Sequence, residues 1–340
     1  MILVTGANGF LGTVLVKHLF ARGAKHVACL VRPGSDRKKL EALASKHPGA
    51  ELEVRNTGLA SPQDVVPALE GVTVVYHLAA AMAGSPADMY MGTVVASKNL
   101  LEAIALRKAA GHAPPRVVLI SSFGVYGVAE LPRGAMVDEE TPLEQHPEKR
   151  DVYSQTKLRQ EKLFREYEQR LGLSLVTVRP GVIYGPGGGG MSSRVGLDVF
   201  GVFLNLGGNN MLPLTFVENC ADAILAVGEA GVDGEVYNVV DDDIPTCNDF
   251  LREYRKHVRD VFAIPMPYPA AQLLARGVSW YSKFSKGQLP AIFTPYRTAA
   301  SWGGNRFDNA KLKSLGWKPI VPTNEGIART LEWLKANPKK

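Results

Sequence analysis

Short, uninterrupted apolar runs recur along the first half of the chain, each separated from the next by a helical pattern. We predict strands at residues 2–4, 26–31, 72–78, 117–121 and 175–178. Strands that are apolar throughout are buried on both faces, which indicates a parallel sheet covered by helices. Right-handed crossovers then produce a doubly wound α/β fold.

A glycine-rich turn joins the first predicted strand to the first predicted helix. It reads Thr5-Gly6-Ala7-Asn8-Gly9-Phe10-Leu11-Gly12, and the helix that follows is expected over residues 12–22, before Gly23. Glycines let the backbone turn sharply and approach a pyrophosphate, which the helix N-terminus binds through free N–H groups. A helix-capping turn without a ligand is the alternative. The strand–turn–helix context favours a dinucleotide-binding site.

The end of the second strand bears on the choice of dinucleotide. NAD-binding versions of this fold usually place an acid there to bind the ribose 2′-hydroxyl. The chain has Arg32 instead, followed by further basic residues at positions 37–39. A guanidinium suits a phosphate, so we expect NADP, with NAD as the alternative. A solvated Arg32 without a ligand is the second interpretation.

The regular alternation of predicted strands and helices is lost after residue 180. Residues 185–190 comprise five glycines and one proline, and residues 262–295 are rich in proline, aromatic and basic residues with little strand–helix alternation. We predict a dinucleotide-binding domain over residues 1–180 with a return near 215–240. Residues 181–214 and 241–340 are expected to form a smaller C-terminal substrate-binding lobe.

Composition narrows the class of protein. Hydrophobic residues make up 46% and charged residues 21%, as in ordinary globular domains. The net charge of +6 comes from basic residues scattered among acids, so no nucleic-acid binding is expected. The three cysteines lack zinc or disulfide spacing, so we expect no metal site and a reduced, cytoplasmic protein.

A basic amphipathic stretch at 270–293 suits a pocket lid, with peripheral membrane contact as the alternative.

Tyr153 and Lys157 lie four residues apart in a predicted helix over residues 151–169, so both face the same side. The helix lies between the strands that end near Ser122 and Pro180, where a doubly wound sheet binds its substrates. An ammonium close to a phenol lowers the pKa of the phenol and makes it a usable acid–base. A serine hydroxyl can hold a substrate oxygen on which charge develops.

These motifs together resemble the extended short-chain dehydrogenase/reductase family, in its epimerase/dehydratase-like branch. Besides the glycine-rich turn, the resemblance rests on His77-Leu78-Ala79-Ala80, Ser121-Ser122-Phe123-Gly124-Val125-Tyr126-Gly127, Tyr153-Ser154-Gln155-Thr156-Lys157 and Arg179-Pro180-Gly181-Val182-Ile183-Tyr184-Gly185-Pro186-Gly187. It implies an NAD(P)-dependent Rossmann-fold enzyme that acts as a homodimer through helices near residues 99–108 and 154–167.

The resemblance also implies roles for individual residues. Tyr153 is expected to be the acid–base, Lys157 to bind the nicotinamide ribose, and Ser122 to hold the substrate oxygen. The expected cofactor-binding residues are Gly6, Asn8, Gly9, Phe10, Leu11, Gly12, Arg32, Leu59, Leu78, Ala79, Ala80, Lys157 and Pro180. The common adenine-contacting acid near Leu59 is replaced by Gly58, and a common asparagine by Thr93.

Departures from the family pattern narrow the substrate. Phe123 and Gly124 stand where dehydratases of the family carry Asp and Glu, so sugar dehydration is not expected. Val182 replaces an asparagine that is frequent in sugar-nucleotide enzymes, and Arg297 is the one candidate cation for a diphosphate. We therefore expect hydride transfer to or from an alcohol or ketone on an apolar substrate. The alternatives are a sugar-nucleotide epimerase and a non-catalytic dinucleotide-binding protein.

Overall fold

The structure, a computed structural model, describes residues 1–47, 49–199, 201–284 and 293–338. Its strands are β1 (Ile2–Thr5), β2 (His26–Leu30), β3 (Glu51–Arg55), β4 (Val74–His77), β5 (Arg116–Ile120), β6 (Met136–Val137), β7 (Leu175–Pro180), β8 (Val182–Tyr184), β9 (Gly196–Val199), β10 (Val202–Asn205), β11 (Leu214–Phe216), β12 (Val236–Val239), β13 (Ala263–Pro265) and β14 (Arg306–Phe307).

The helices of the described residues alternate with these strands and, in the second half, cover the lobe. They are α1 (Phe10–Ala21), α2 (Lys38–Lys46), α3 (Pro62–Val65), α4 (Pro86–Tyr90), α5 (Ala96–Ala109), α6 (Val152–Leu171), α7 (Val217–Ala230), α8 (Cys247–His257), α9 (Tyr268–Phe284), α10 (Pro295–Trp302), α11 (Ala310–Lys313) and α12 (Thr323–Ala336). A π-helical turn at Met91–Val95 joins α4 to α5.

Seven parallel strands form the main sheet in the order β12-β7-β5-β4-β1-β2-β3. One apolar cluster packs α1 and α7 on one face of the sheet, and a second packs α5 and α6 on the other. This confirms the predicted doubly wound fold. The chain order reverses between β1 and β4, and ligands of such sheets bind at this crevice, beyond the carboxyl ends of the strands.

The predicted strands and helices of the first half are present, with bounds that differ by a few residues. The first helix begins at Phe10 rather than Gly12. The glycine-rich turn and the first turn of the helix therefore overlap, and Gly9 is the helix cap. Helix α6 begins at Val152, where Asp151 caps it by accepting a hydrogen bond from the Ser154 N–H at 2.9 Å. It ends at Leu171, and Gly172 follows as its cap with a φ of 60°, which suits glycine.

The second half contains more regular structure than its composition suggests. The expectation of little strand–helix alternation over residues 262–295 is wrong for the described part, which contains β13 and the 17-residue helix α9. Proline, aromatic and basic residues make the helical pattern hard to recognise in the sequence. In the structure, packing of the helix face against the lobe outweighs their weak helix propensity. None of the helices among the described residues has the length and apolarity to cross a bilayer.

Candidate active site

The glycine-rich turn between β1 and α1 leaves no room for side chains at two positions. Gly6 has a φ of 70°, and a Cβ on it would lie 3.1 Å from the Ala79 backbone nitrogen. A Cβ on Gly12 would lie 2.2 Å from the Gly6 carbonyl oxygen. The turn therefore requires glycine for its own packing, and the same glycines leave its outer side open to a ligand.

The N-terminus of α1 offers donors that the protein does not use. Gly9 caps the helix without a side-chain hydrogen bond. The backbone N–H groups of Phe10, Leu11 and Gly12 have no hydrogen-bond partner among the described residues. Free N–H groups and the positive end of the helix dipole fit a pyrophosphate, so the turn fits the expected dinucleotide. Asn8 lies in the same turn.

The other residues expected to contact the cofactor follow strands at the same edge of the sheet. Arg32 is exposed just beyond β2, and Leu78, Ala79 and Ala80 follow β4 beside the turn. Pro180 ends β7 and is buried. These positions frame the crevice, and their individual contacts with a cofactor stay predictions.

Leu59 lies in a loop that one side chain holds in place. The Asn99 amide donates to the carbonyl oxygens of Leu59 at 2.9 Å and of Ala60 at 2.8 Å. Asn99 was missed as a site residue in the sequence, because its partners lie about forty positions away. Thr93, which replaces a common asparagine, accepts a hydrogen bond from the Ala81 N–H at 3.0 Å.

The structure brings Ser122, Tyr153 and Lys157 together at the carboxyl end of β5. Ser122 follows that strand, where its hydroxyl accepts a hydrogen bond from the Gly124 N–H at 3.1 Å and lies close enough to Tyr153, in the first turn of α6, to act on the pKa of that phenol. One helical turn later, the buried Lys157 ammonium donates to the Ile120 carbonyl and to the Gln160 side-chain oxygen, both at 2.9 Å. One of its three N–H donors is left for a ligand.

Burial dominates the electrostatics of this pair. It lowers the pKa of Lys157 to about 7, while Glu161 acts in the opposite direction. Burial also raises the pKa of Tyr153, which the nearby Ser122 hydroxyl partly offsets and the charge of Asp151 reinforces. The expected lowering of the phenol pKa by Lys157 is not seen, because burial is the largest influence on this pKa and Lys157 is not among the groups that shift it.

A buried chain of hydrogen bonds connects Lys157 to the turn below the cofactor crevice. The Gln160 amide donates to the Ser97 hydroxyl at 2.7 Å, and Ser97 is 2.9 Å from His77 Nε2. His77 Nδ1 is 2.9 Å from the Thr5 hydroxyl. Burial lowers the pKa of His77 to about 3, so the ring is neutral at physiological pH.

The directions of these bonds follow from one another. The Ser97 hydroxyl donates to the Thr93 carbonyl at 2.6 Å, so it accepts from both Gln160 and His77 Nε2–H. His77 Nδ1 then accepts from Thr5, whose oxygen accepts the Ala79 N–H at 3.2 Å. His77 is therefore a buried link in this polar chain.

A second buried polar group fixes the strand ends on either side of α6. Glu161 accepts from Arg179 Nε at 3.2 Å and from the Ser121 hydroxyl at 2.6 Å. The Arg179 guanidinium lies 4.7 Å from the centre of the Tyr126 ring. Because Ser121 precedes Ser122, this group sets where Ser122 leaves β5.

The residues that replace the dehydratase acids are structural. Phe123 is buried and stacks on Phe307, with ring centres 5.4 Å apart. A Cβ on Gly124 would lie 3.0 Å from the Ser154 hydroxyl. Arg297, expected as a possible diphosphate contact, donates instead to the carbonyl oxygens of Lys149 at 3.2 Å and Arg150 at 2.9 Å.

The NAD dependent epimerase/dehydratase family matches the chain over residues 2–240. A 3beta-hydroxysteroid-dehydrogenase/decarboxylase from Arabidopsis thaliana is 27% identical, over 97% of this chain and 78% of that protein. A decarboxylating sterol-4-alpha-carboxylate 3-dehydrogenase from Candida albicans is 28% identical, over 98% and 97%.

Solved structures agree on the fold. The UDP-glucose 4-epimerase of Thermus thermophilus in complex with NAD superimposes with a TM-score of 0.69 at 22% identity, over 99% of each chain. The family match covers most of the chain, and the sterol dehydrogenases align along nearly all of it. The protein therefore belongs to the NAD dependent epimerase/dehydratase family and is an oxidoreductase of the extended short-chain type.

Proposed function

We propose that the enzyme interconverts an alcohol and a ketone on a sterol-like substrate, with NADP as the preferred cofactor. The observation that carries this proposal is the buried Lys157 ammonium, which is bound to the Ile120 carbonyl at the end of β5 and lies one helical turn after Tyr153, at the sheet edge where the free N–H groups open α1. That arrangement provides a proton-transfer group and an oxygen-binding group next to a site that fits a dinucleotide.

The chemistry divides between the protein and its cofactor. In the oxidative direction Tyr153 takes the hydroxyl proton while Ser122 holds the same oxygen, so that a carbonyl forms as the carbon loses hydride. The oxidised nicotinamide, when bound, accepts that hydride, and its positive charge favours the phenolate. Lys157 directs its remaining donor toward the ribose hydroxyls and keeps a positive charge near the phenol.

The named relatives support an apolar substrate. A 3beta-hydroxysteroid-dehydrogenase/decarboxylase and a sterol-4-alpha-carboxylate 3-dehydrogenase align along nearly all of this chain, and both are named for a steroid or sterol, which is a large and mostly apolar body. A screen of hydroxysteroids, simple ketones and nucleotide sugars for reduced-nicotinamide absorbance tests this. Turnover of a nucleotide sugar alone would contradict the proposal.

The preference for NADP depends on Arg32. It is exposed directly after β2, and no described side chain bonds to it, so its guanidinium is available to a 2′-phosphate. Arg32→Ala should raise the KM for NADPH by about tenfold and leave the KM for NADH nearly unchanged, since a charged hydrogen bond contributes about 1.5 kcal/mol or more. A wild-type preference for NADH would overturn this part of the proposal.

We also propose a homodimer through α5 and α6. The two helices pack side by side, with the Lys108 ammonium donating to the Leu171 carbonyl at 2.5 Å, and Leu106 is 48% exposed on the outer side. Light scattering on the purified protein should give twice the chain mass, and Leu106→Arg should shift it toward the monomer. A monomeric wild type would exclude the dimer.

A further inference from the structure

The helix α9 in the second half of the chain presents its large apolar side chains to the outside. The positions that it buries are small, since Ala271 is 1% exposed and Ala275 is fully buried. The opposite side carries Leu273 and Trp280, which are 71% and 68% exposed. An ordinary surface helix has the reverse arrangement, with its large apolar residues toward the core. An outward apolar side of this kind marks a surface that contacts something apolar.

The outward residues of α9 form one continuous stripe, which we call the outer face of α9. Residues three and four positions apart lie on the same side of a helix, and the stripe covers about a third of the circumference over roughly 16 Å of length. None of its members carries a charge at neutral pH. The outer face consists of the exposed residues Ala270, Leu273, Leu274, Gly277, Trp280 and Tyr281.

The net positive charge of the chain is concentrated in the segment that contains this helix. Residues 261–307 include five Lys and Arg and no Asp or Glu. The rest of the chain holds 34 Lys and Arg against 33 Asp and Glu, so this segment supplies five of the six net positive charges. A region of one sign attracts a partner of the opposite sign, by an effect that salt screens. The partner of the outer face should therefore be anionic as well as apolar.

Arg276 places one of these positive charges at the border of the outer face. It is exposed, it lies about 40° around the helix from Trp280, and among the described residues it forms neither a hydrogen bond nor an ion pair. An arginine in such a place can lay its stem along an apolar surface while its guanidinium stays in a polar layer. Trp280 and Tyr281 fit the same boundary, because their rings are apolar and their N–H and O–H groups are polar.

We propose that the outer face of α9 docks on an anionic lipid bilayer, with Leu273 and Leu274 among the acyl chains and Arg276 at the lipid phosphates. Aliphatic residues, interfacial aromatic residues and positive charge without acids are the features of a helix that lies in the plane of a membrane surface. Ala271 keeps the helix packed on the lobe through Leu206 and Trp302, so the folded protein docks as a whole. A second copy of the chain fits less well, because a symmetric contact would bring the two positive segments together.

Co-sedimentation of the whole chain with lipid vesicles tests the proposal. The probes are vesicles of phosphatidylcholine alone and vesicles that also contain about 30% phosphatidylglycerol, which is anionic. The wild type should sediment with the anionic vesicles at about 0.1 M salt and bind about tenfold less tightly at about 1 M salt, where charges are screened within ~3 Å. Binding to the neutral vesicles should be weaker by a similar factor. Absence of binding to the anionic vesicles at low salt would overturn the proposal.

Variants separate the apolar from the charged part of the contact. Leu273→Ser/Leu274→Ser should lower the affinity for anionic vesicles about 100-fold, which is about tenfold for each leucine withdrawn from lipid. Arg276→Gln should lower it about fivefold, the contribution of one cation near an anionic surface. Ile320→Ser and Arg252→Gln, at exposed positions outside the acid-free segment, are the matched controls and should leave the affinity unchanged. Equal binding by the wild type and the double variant would overturn the proposal.

Tryptophan fluorescence locates the contact on the protein surface. Of the four tryptophans, Trp302 and Trp317 are buried and Trp333 is half-buried, so Trp280 is the exposed one. Anionic vesicles should shift its emission to the blue, and Trp280→Phe should abolish the shift while the protein still sediments. Binding without this shift would place the membrane contact elsewhere and would overturn the proposal.

Light scattering distinguishes the bilayer from a second copy of the chain as the partner of the outer face. Leu273→Ser/Leu274→Ser should have the same mass in solution as the wild type. A lower mass in the double variant would show that a second copy covers this face and would overturn the proposal. None of these measurements requires turnover, so the inference stands or falls independently of the proposed function.

Discussion

The Lys157 ammonium donates to the side-chain oxygen of Gln160 at 2.9 Å, one turn further along α6. Gln160 is 1% exposed, and its amide continues to Ser97 at 2.7 Å. The side-chain oxygen of Gln160 and the carbonyl oxygen of Ile120 therefore fix the position of the lysine ammonium together. Through Ser97, His77 and Thr5, the position of the lysine is coupled to the turn that receives the cofactor.

Gln160 should consequently act as a positioning residue for Lys157. Gln160→Leu removes one acceptor of the ammonium, and we expect kcat/KM to fall about 10- to 100-fold, the equivalent of one hydrogen bond to a charged group. Steady-state kinetics with varied cofactor measures this loss. Gln169→Leu, at an exposed position of the same helix, is the control and should leave kcat/KM unchanged.

The Gln160→Glu variant tests whether Gln160 acts on Lys157, because a purely structural role of Gln160 would leave the pH dependence of activity unchanged. A carboxylate next to the ammonium raises the pKa of Lys157, so the pH dependence that Lys157 causes should shift to higher pH. An unshifted profile in this variant would contradict the positioning role.

Tyr153→Phe removes the phenol oxygen and retains the ring. We expect kcat to fall about 10²- to 10⁴-fold, the usual contribution of a general acid–base, while the Kd for NADPH stays within about twofold. Stopped-flow turnover and fluorescence titration measure the two quantities. Tyr90→Phe, at a tyrosine that is 47% exposed, serves as the control. Retained turnover in Tyr153→Phe would reject the assigned acid–base.

The buried Lys157 should give the protein a characteristic pH dependence of stability. The folded protein releases the lysine proton near a pKa of about 7, whereas the unfolded chain keeps it up to about 10.5. Unfolding therefore takes up a proton between these values, and the free energy of unfolding contributed by this group rises with pH across that window.

Lys157→Met should remove this contribution. Urea unfolding of the wild type and the variant at several pH values between about 7 and 10 measures the difference in slope. We expect a smaller rise in the free energy of unfolding with pH in Lys157→Met. Parallel curves for the two proteins would show that the lysine titrates at its ordinary value.

Loss of one partner of the buried Arg179–Glu161 ion pair should lower the stability of the protein, because the other charge would remain buried without a countercharge. Arg179→Met leaves Glu161 buried without its countercharge, and we expect a loss of about 3–5 kcal/mol in the free energy of unfolding. The double variant Glu161→Leu/Arg179→Met should recover most of it, because no unpaired charge remains. Urea unfolding decides this, and additive losses in the double variant would contradict the explanation.

Much of the first half could be predicted from local pattern. Continuous apolar strands, glycines at fixed offsets and the four-residue spacing of Tyr153 and Lys157 are properties of neighbouring residues, and they lead to the observed sheet, turn and helix. The same reasoning failed for α9, because its proline and aromatic content obscured a helix that packing stabilises.

The sequence by itself determined the fold class and placed the reacting residues at one edge of the sheet, since strand and helix periodicities act over a few residues. Only the tertiary structure decided which other side chains form the hydrogen bonds that hold these residues in position. Gln160 donates to Ser97 across 63 positions, and the Asn99 amide donates to the Leu59 carbonyl across 40 positions. Such contacts depend on how separate elements pack together, and no local pattern records that.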